Sequence, residues 1–224
     1  MLPYPPAALL LQWEQKIDPA ISAGVHAYAQ AVAKHPAVVE CVPAYASLLV
    51  RYAPPKTSAY ALEEYIFSLR PQPLAEKAIF RHEIPVCYAP SLAPDLEQTA
   101  ALLELTPEAL IEFHTNRSYL VYQLGYLPGF AFMGQTAAQL AVARLNSPRA
   151  RVPAGSVGLA GRQTGIYPLE SPGGWRLIGR CPWPLLREGR HFTRFQAGDF
   201  VSFRAVSEAK YLELAKSPSP WPER

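Results

Sequence analysis

The sequence predicts two domains, an α+β domain over residues 1–85 and a mostly-β domain, barrel or sandwich, over residues 86–224. Three observations predict them. In the first 85 residues, apolar runs of strand length alternate with stretches of helical periodicity. From residue 118 onward, short apolar segments recur, each bounded by Gly or Pro. Ten of the chain's 13 glycines fall within residues 125–179, set among prolines, aromatics and arginines rather than serines. Such a stretch forms fixed turns and close backbone approaches, a shaped surface rather than a linker.

Residues 7–13 read as an apolar strand. Asp18 and Pro19 start a helix as N-cap and N1 residue, with Ile21, Val25, Tyr28 and Val32 on one face. Strands follow over 38–42 and 47–52, joined by a turn at Pro43-Ala44. Thr57 or Ser58 caps a second helix reaching Leu69, and residues 78–84 form a further strand. The order β-α-β-β-α-β is that of the ferredoxin-like split βαβ domain. Ile84-Pro85-Val86 marks the boundary. A helix over 93–103 comes next, then one over 106–114 opened by Thr106-Pro107-Glu108. Strands are expected over 118–124, 130–133, 156–160, 165–167, 175–178 and 200–206, a terminal helix over 207–215, and a frayed tail after it. No internal repeat is present.

Half of the residues are hydrophobic and 17% are charged, enough for a real core. The net charge of +3 is unevenly spread: residues 144–194 hold nine Arg and two acids, Glu170 and Glu188, leaving −4 for the rest. This points to an anionic ligand or acidic partner near the second half. Nucleic acid fits poorly, because that segment lacks lysine and any recognised nucleic-acid motif. Three scattered cysteines, Cys41, Cys87 and Cys181, suit reduced thiols in a cytoplasmic protein. No signal peptide or membrane-spanning run is expected, and Asn116-Arg117-Ser118 is a chance sequon.

Common catalytic signatures are missing: no phosphate loop, no dinucleotide fingerprint, no HExxH, no zinc-spaced Cys/His set and no nucleophile elbow. Gly155, Gly158 and Gly161 at period three suit a tightly packed strand and turn better than a phosphate cradle. His26, His35 and His82 read as surface or cap residues, and His191 as a loop residue. His114 closes a helix before the Gly-rich stretch, where the helix C-terminus favours imidazolium. It is either a plain helix-ending residue or a proton donor facing the shaped surface. Arg149, Arg151, Arg162, Arg176 and Arg180 suit a carboxylate or phosphate if two or three converge; the alternative is a solvated set. Trp175, in the turn Ser171-Pro172-Gly173-Gly174, is a core plug or an interface anchor.

Ordered motifs carry a family resemblance: Val42-Pro43-Ala44-Tyr45, Ile84-Pro85-Val86-Cys87-Tyr88, Asp95-Leu96-Glu97 and His114-Thr115. They continue through LGYLPGF at 124–130, Pro148-Arg149, VPAGSV at 152–157, QTGIYP at 163–168, SPGGW at 171–175, Ile178-Gly179-Arg180 and Gly198-Asp199. Over about residues 7–210 the chain resembles the 5-oxoprolinase B-subunit family, also called the KipI or allophanate hydrolase subunit 1 family. Tyr126 stands where the family usually has Phe, Phe132 where Tyr is common, and Cys181 replaces a usual Thr. The resemblance implies an α+β domain followed by a cyclophilin-like β-barrel, without implying isomerase activity. It implies a subunit of an ATP-dependent complex with subunits A and C that opens 5-oxo-L-proline to L-glutamate. Alternatives are a KipI-like inhibitor of a sporulation histidine kinase and an accessory domain of urea or allophanate metabolism. For that chemistry the expected catalytic residues are His114, Arg149 and Arg180. Gln163, Tyr167, Gly173 and Gly174 are expected at a small acidic substrate, and Phe130 and Trp175 at a partner interface, with no metal.

Overall fold

A computed structural model describes residues 2–4, 7–71, 80–187 and 193–216. The chain divides into two compact units, Met1–Ala78 and Ile79–Arg224. His191 and the expected tail over 217–224 lie outside the described residues, as do the first two positions of the strand expected over 78–84.

In the first unit, strands β1 (Leu2–Tyr4), β2 (Ala8–Gln12), β3 (Val38–Pro43) and β4 (Ser47–Tyr52) form an antiparallel sheet in the order β1-β2-β4-β3. Helices α1 (Pro19–Val32) and α2 (Ala59–Ser68) pack on it. The Asp18 carboxylate accepts from the amides of Ala20 and Ile21, and the Ser58 hydroxyl from that of Ala61, so both helices start on side-chain caps. Leu9, Leu11, Leu48 and Val50 meet Val25, Val32, Leu62 and Ile66 in the core.

The strand expected to complete a ferredoxin-like domain does not pair with this sheet. It is β5 (Arg81–Cys87), which runs parallel to β13 (Phe200–Val206) from Arg81↔Phe200 to Cys87↔Val206. The βαββαβ reading is therefore corrected to a four-stranded sheet with two helices, and the division falls before this strand rather than after residue 85. Buried at every residue from Ile84 to Cys87 and exposed only at Arg81 and Glu83, β5 reads as an interior strand, with α5 packed against it.

The second unit is a closed barrel in the order β10-β7-β6-β13-β5-β12-β9. The remaining strands are β6 (Ser118–Leu124), β7 (Ala131–Gly134), β9 (Ser156–Ala160), β10 (Gln163–Ile166) and β12 (Arg176–Arg180). Two short strands missed by the sequence reading, β8 (Arg149–Val152) and β11 (Ser171–Gly173), form a separate ribbon. Helices α3 (Leu96–Leu102), α4 (Pro107–Thr115) and α5 (Glu208–Lys216) flank the barrel.

Side chains alternate across the barrel wall, as strand geometry requires. Met133, Val157, Leu159, Ile166 and Ile178 point into the main core. Phe130, Ala160, Trp175 and Leu177 form a second cluster with Val152 and Tyr167. Two outer-face glycines make room for it. A Cβ at Gly165 would meet Phe130 at 3.0 Å and Trp175 at 3.2 Å, and one at Gly158 would meet Trp175 at 3.0 Å. Among the described residues, no helix is long and apolar enough to cross a membrane.

Candidate functional site

The nine residues singled out from the sequence fall in different places. His114 lies inside the barrel and is fully buried. Its Nδ1 is 2.7 Å from the Tyr88 hydroxyl and its Nε2 is 2.9 Å from Thr164 Oγ1. The Thr164 hydroxyl donates to the Gly158 carbonyl at 3.1 Å, so its oxygen accepts from Nε2–H, and Nδ1 accepts from Tyr88. Tyr119 closes the set by donating to the His114 carbonyl at 2.8 Å, and the ring stacks on Phe203 with centroids 4.5 Å apart. Burial pushes the imidazole down to about 3 and holds the Tyr88 phenol well above its usual range. The expected imidazolium facing an outer surface is thus corrected to a neutral ring in the core. Burial outweighs the helix-terminus effect, which is small by comparison.

Arg180 ends β12 and donates from Nε to the Ala154 carbonyl at 2.9 Å, fastening the strand to the 153–155 turn. Gln163 starts β10 and pairs with Gly134 and Ala160, half-buried on the same strand face as Gly165.

Six of the nine gather on the outer face. The ribbon pairs Gly173 with Arg149. Arg149 donates through Nη2 to Asp95, whose other oxygen accepts from the Leu177 amide at 2.7 Å, so α3, β8 and β12 meet at one buried carboxylate. Tyr167 is buried against Gly173, where a Cβ would sit 2.5 Å from the phenol oxygen. Burial raises the Tyr167 phenol, opposed first by a hydrogen bond with the Trp175 backbone and then by the charges of Arg144 and Arg149. Gly174 accepts from the Leu145 amide at 2.8 Å. Phe130 and Trp175 form a T-shaped pair with centroids 5.4 Å apart. At 1% and 5% exposed, they serve as core plugs, which corrects the expectation that they present themselves to a partner.

Two neighbours were not singled out as a set with these. Arg144 is exposed, its guanidinium 6.0 Å from the Trp175 ring centroid. Tyr126, also exposed, has φ +67°, stacks edge-on against Phe130 and donates to the Pro172 carbonyl. A positive φ is uncommon in a residue with a side chain, and here the bond to Pro172 and the contact with Phe130 hold it in place. The nearby sequence signal is one-sided: the turn residues Asn146-Ser147-Pro148 follow Arg144, whereas the run AAQLAVA over 137–143 precedes it. Arg176 donates from Nε to Ala143 at 3.0 Å, bringing it to the same strap.

The model of the carboxyltransferase domain, subdomain C and D, matches residues 1–194. The chain is 38% identical over 222 residues to the 5-oxoprolinase B subunit of Bacillus subtilis (strain 168), covering 92% of each. The chain belongs to the 5-oxoprolinase B-subunit family. Its relative of that name from Escherichia coli O157:H7 is 36% identical over 198 residues, 88% of this chain and 91% of the other. The crystal structure of TTHA0988 in space group P212121 superposes with a TM-score of 0.81 at 32% identity. That match takes in 96% of this family member but 41% of the longer chain. The Kluyveromyces lactis urea carboxylase shares the fold, with a TM-score of 0.76 at 17% identity over 93% of this chain and 22% of the other.

Proposed function

We propose that the chain is a subunit of a cytoplasmic, ATP-dependent 5-oxoprolinase complex that converts 5-oxo-L-proline to L-glutamate together with subunits A and C. The observation that carries this reading is the 38% identity extending over 92% of both chains, across both units rather than one motif. An unstrained lactam is a poor electrophile, and transfer of the ATP γ-phosphoryl group to its oxygen, with ADP leaving, activates the ring carbon. Water then adds, the ring nitrogen takes a proton and leaves as the amine, and hydrolysis of the resulting acyl phosphate releases phosphate and glutamate. The protein must then hold a carboxylate and oppose developing negative charge. The outer-face cluster around Arg149, Tyr167, Gly173 and Gly174 suits the first task. His114, neutral and enclosed, contributes by supporting the wall behind that cluster.

The test is reconstitution of the chain with subunits A and C and measurement of ATP-dependent glutamate release from 5-oxo-L-proline. Omitting the chain is expected to abolish release, and full release without it overturns the reading. In the complete complex, Arg149→Lys is expected to lower turnover while the three subunits still co-purify. Unchanged turnover removes Arg149 from the site.

A further inference from the structure

We infer that Arg144, Arg149 and Arg176, gathered around Gly173-Gly174-Trp175, bind the oxyanion of a small molecule, a carboxylate or a phosphoryl group. This deepens the reading above and rests on it only for the choice of lactam probe. The backbone places the three together. Leu145 is tied to Gly174, Arg176 to Ala143, and Arg149 lies opposite Gly173 in the ribbon.

The charge balance of this corner favours an anion. Arg149 has Asp95 as its partner, whereas Arg144 and Arg176 have no carboxylate within ion-pair distance among the described residues. Asp95 is itself shared with the Leu177 amide. Like charges brought together without counter-charge repel, and a cluster of them raises the local concentration of anions. The nearby Arg151 differs in kind, because Glu170 holds it through two 3.0 Å bonds.

Its hydrogen-bond donors also outnumber their partners. Arg149 Nη1 and Arg176 Nη1 are buried without a hydrogen-bond partner, and Arg144 keeps its donors in solvent. Buried guanidinium nitrogens are normally satisfied, so this corner has donors to spare. Guanidinium forks match planar carboxylates and phosphoryl oxygens. Gly173 lets Tyr167 pack against the ribbon, Gly174 faces Pro148, and the Tyr126 hydroxyl, on a positive-φ residue, bonds to the neighbouring Pro172.

The experiment follows the Trp175 indole N–H and the arginine Nε–H signals by NMR in the full chain. Inorganic phosphate, 5-oxo-L-proline and 2-pyrrolidinone, the same ring without its carboxylate, are titrated separately. Movement with 5-oxo-L-proline but not 2-pyrrolidinone assigns a carboxylate, and movement with phosphate assigns a phosphoryl group. Arg144→Ala, a change at an exposed side chain, is expected to weaken binding by about tenfold, the size of one charge-assisted hydrogen bond. Arg176→Lys provides a second variant that keeps the charge and loses the fork. The inference is overturned if neither anion moves these signals, or if both variants bind as the parent does. It is equally overturned if the variants impair only assembly with the other subunits, which would make the cluster a protein contact. The glutamate-release assay is independent of the phosphate titration, so failure of the anion site and failure of the 5-oxoprolinase reading are separable.

Discussion

Thr164 and Gly165 are adjacent on β10 and serve opposite sides of the barrel wall. On the inner side, Thr164 belongs to a polar chain in which Tyr88 donates to His114, His114 to Thr164, and Thr164 to Gly158. Every proton in that chain has one acceptor. On the outer side, Gly165 leaves space for Trp175, and the arginines above it have more donors than acceptors. Matched polar groups specify a structure, whereas unmatched ones are available to a ligand. The difference assigns architecture to the inner face and recognition to the outer.

The largest expected effect lies on the inner side. His114→Ala removes a packed ring and leaves the Tyr88 and Thr164 hydroxyls short of partners. A loss of about 4 kcal/mol in urea unfolding is expected, from the cavity and the orphaned groups together. Loss of activity with unchanged stability would instead move His114 to the functional side.

The inner face also predicts a pH dependence. In the unfolded chain the imidazole titrates near 6.5, and in the fold near 3. As pH falls below 6.5, the unfolded chain takes up a proton that the folded chain refuses, so His114's contribution to stability declines until about pH 3. The slope is at most about 1.4 kcal/mol per pH unit. His114→Gln does not titrate, so the stability gap between parent and variant should narrow from pH 7 to pH 4.5. A gap independent of pH would break the assignment of a neutral ring.

An intermediate effect is expected where outer-face chemistry meets packing. Gly173→Ala forces Tyr167 to move and should destabilise by about 1–3 kcal/mol, the usual range for overpacking. Adding Tyr167→Phe deletes the closest atom. The double variant should then be more stable than the sum of the singles by at least about 0.5 kcal/mol. Strict additivity would separate Tyr167 from Gly173.

Much of this division was legible in the sequence, for identifiable reasons. Residues 47–52, 118–124, 156–160 and 200–206 matched β4, β6, β9 and β13, because apolar runs between turn residues are local signals. The Asp18 and Ser58 caps were legible for the same reason. The partner of β5 was not, because its pairing with β13 is set by barrel closure over a long stretch of chain. The ribbon of β8 and β11 was hidden because Ser171-Pro172-Gly173 reads as a turn. His114 carried a usable clue: it follows Leu110 by four residues, which places it on that helix's buried face. The convergence of Arg149 with Asp95, 54 residues apart, required the fold.

The smallest effect on stability is expected to discriminate best between the two sides. Arg144 and Arg151 are both exposed arginines close to the ribbon, and neither substitution to Ala should move the urea midpoint. Arg151 has its charge committed to Glu170 at the surface, with side chains 78% and 51% exposed, and such pairs contribute little. Arg144 has only the face of Trp175. Anion binding should therefore respond to Arg144→Ala and ignore Arg151→Ala. Equal responses would mean that general positive potential attracts the anion rather than a fork aimed at it, and raising the salt concentration would then abolish both, because diffuse attraction is screened over about 10 Å at 0.1 M salt. A response confined to Arg144 that persists in salt is what directed hydrogen bonds from its guanidinium require.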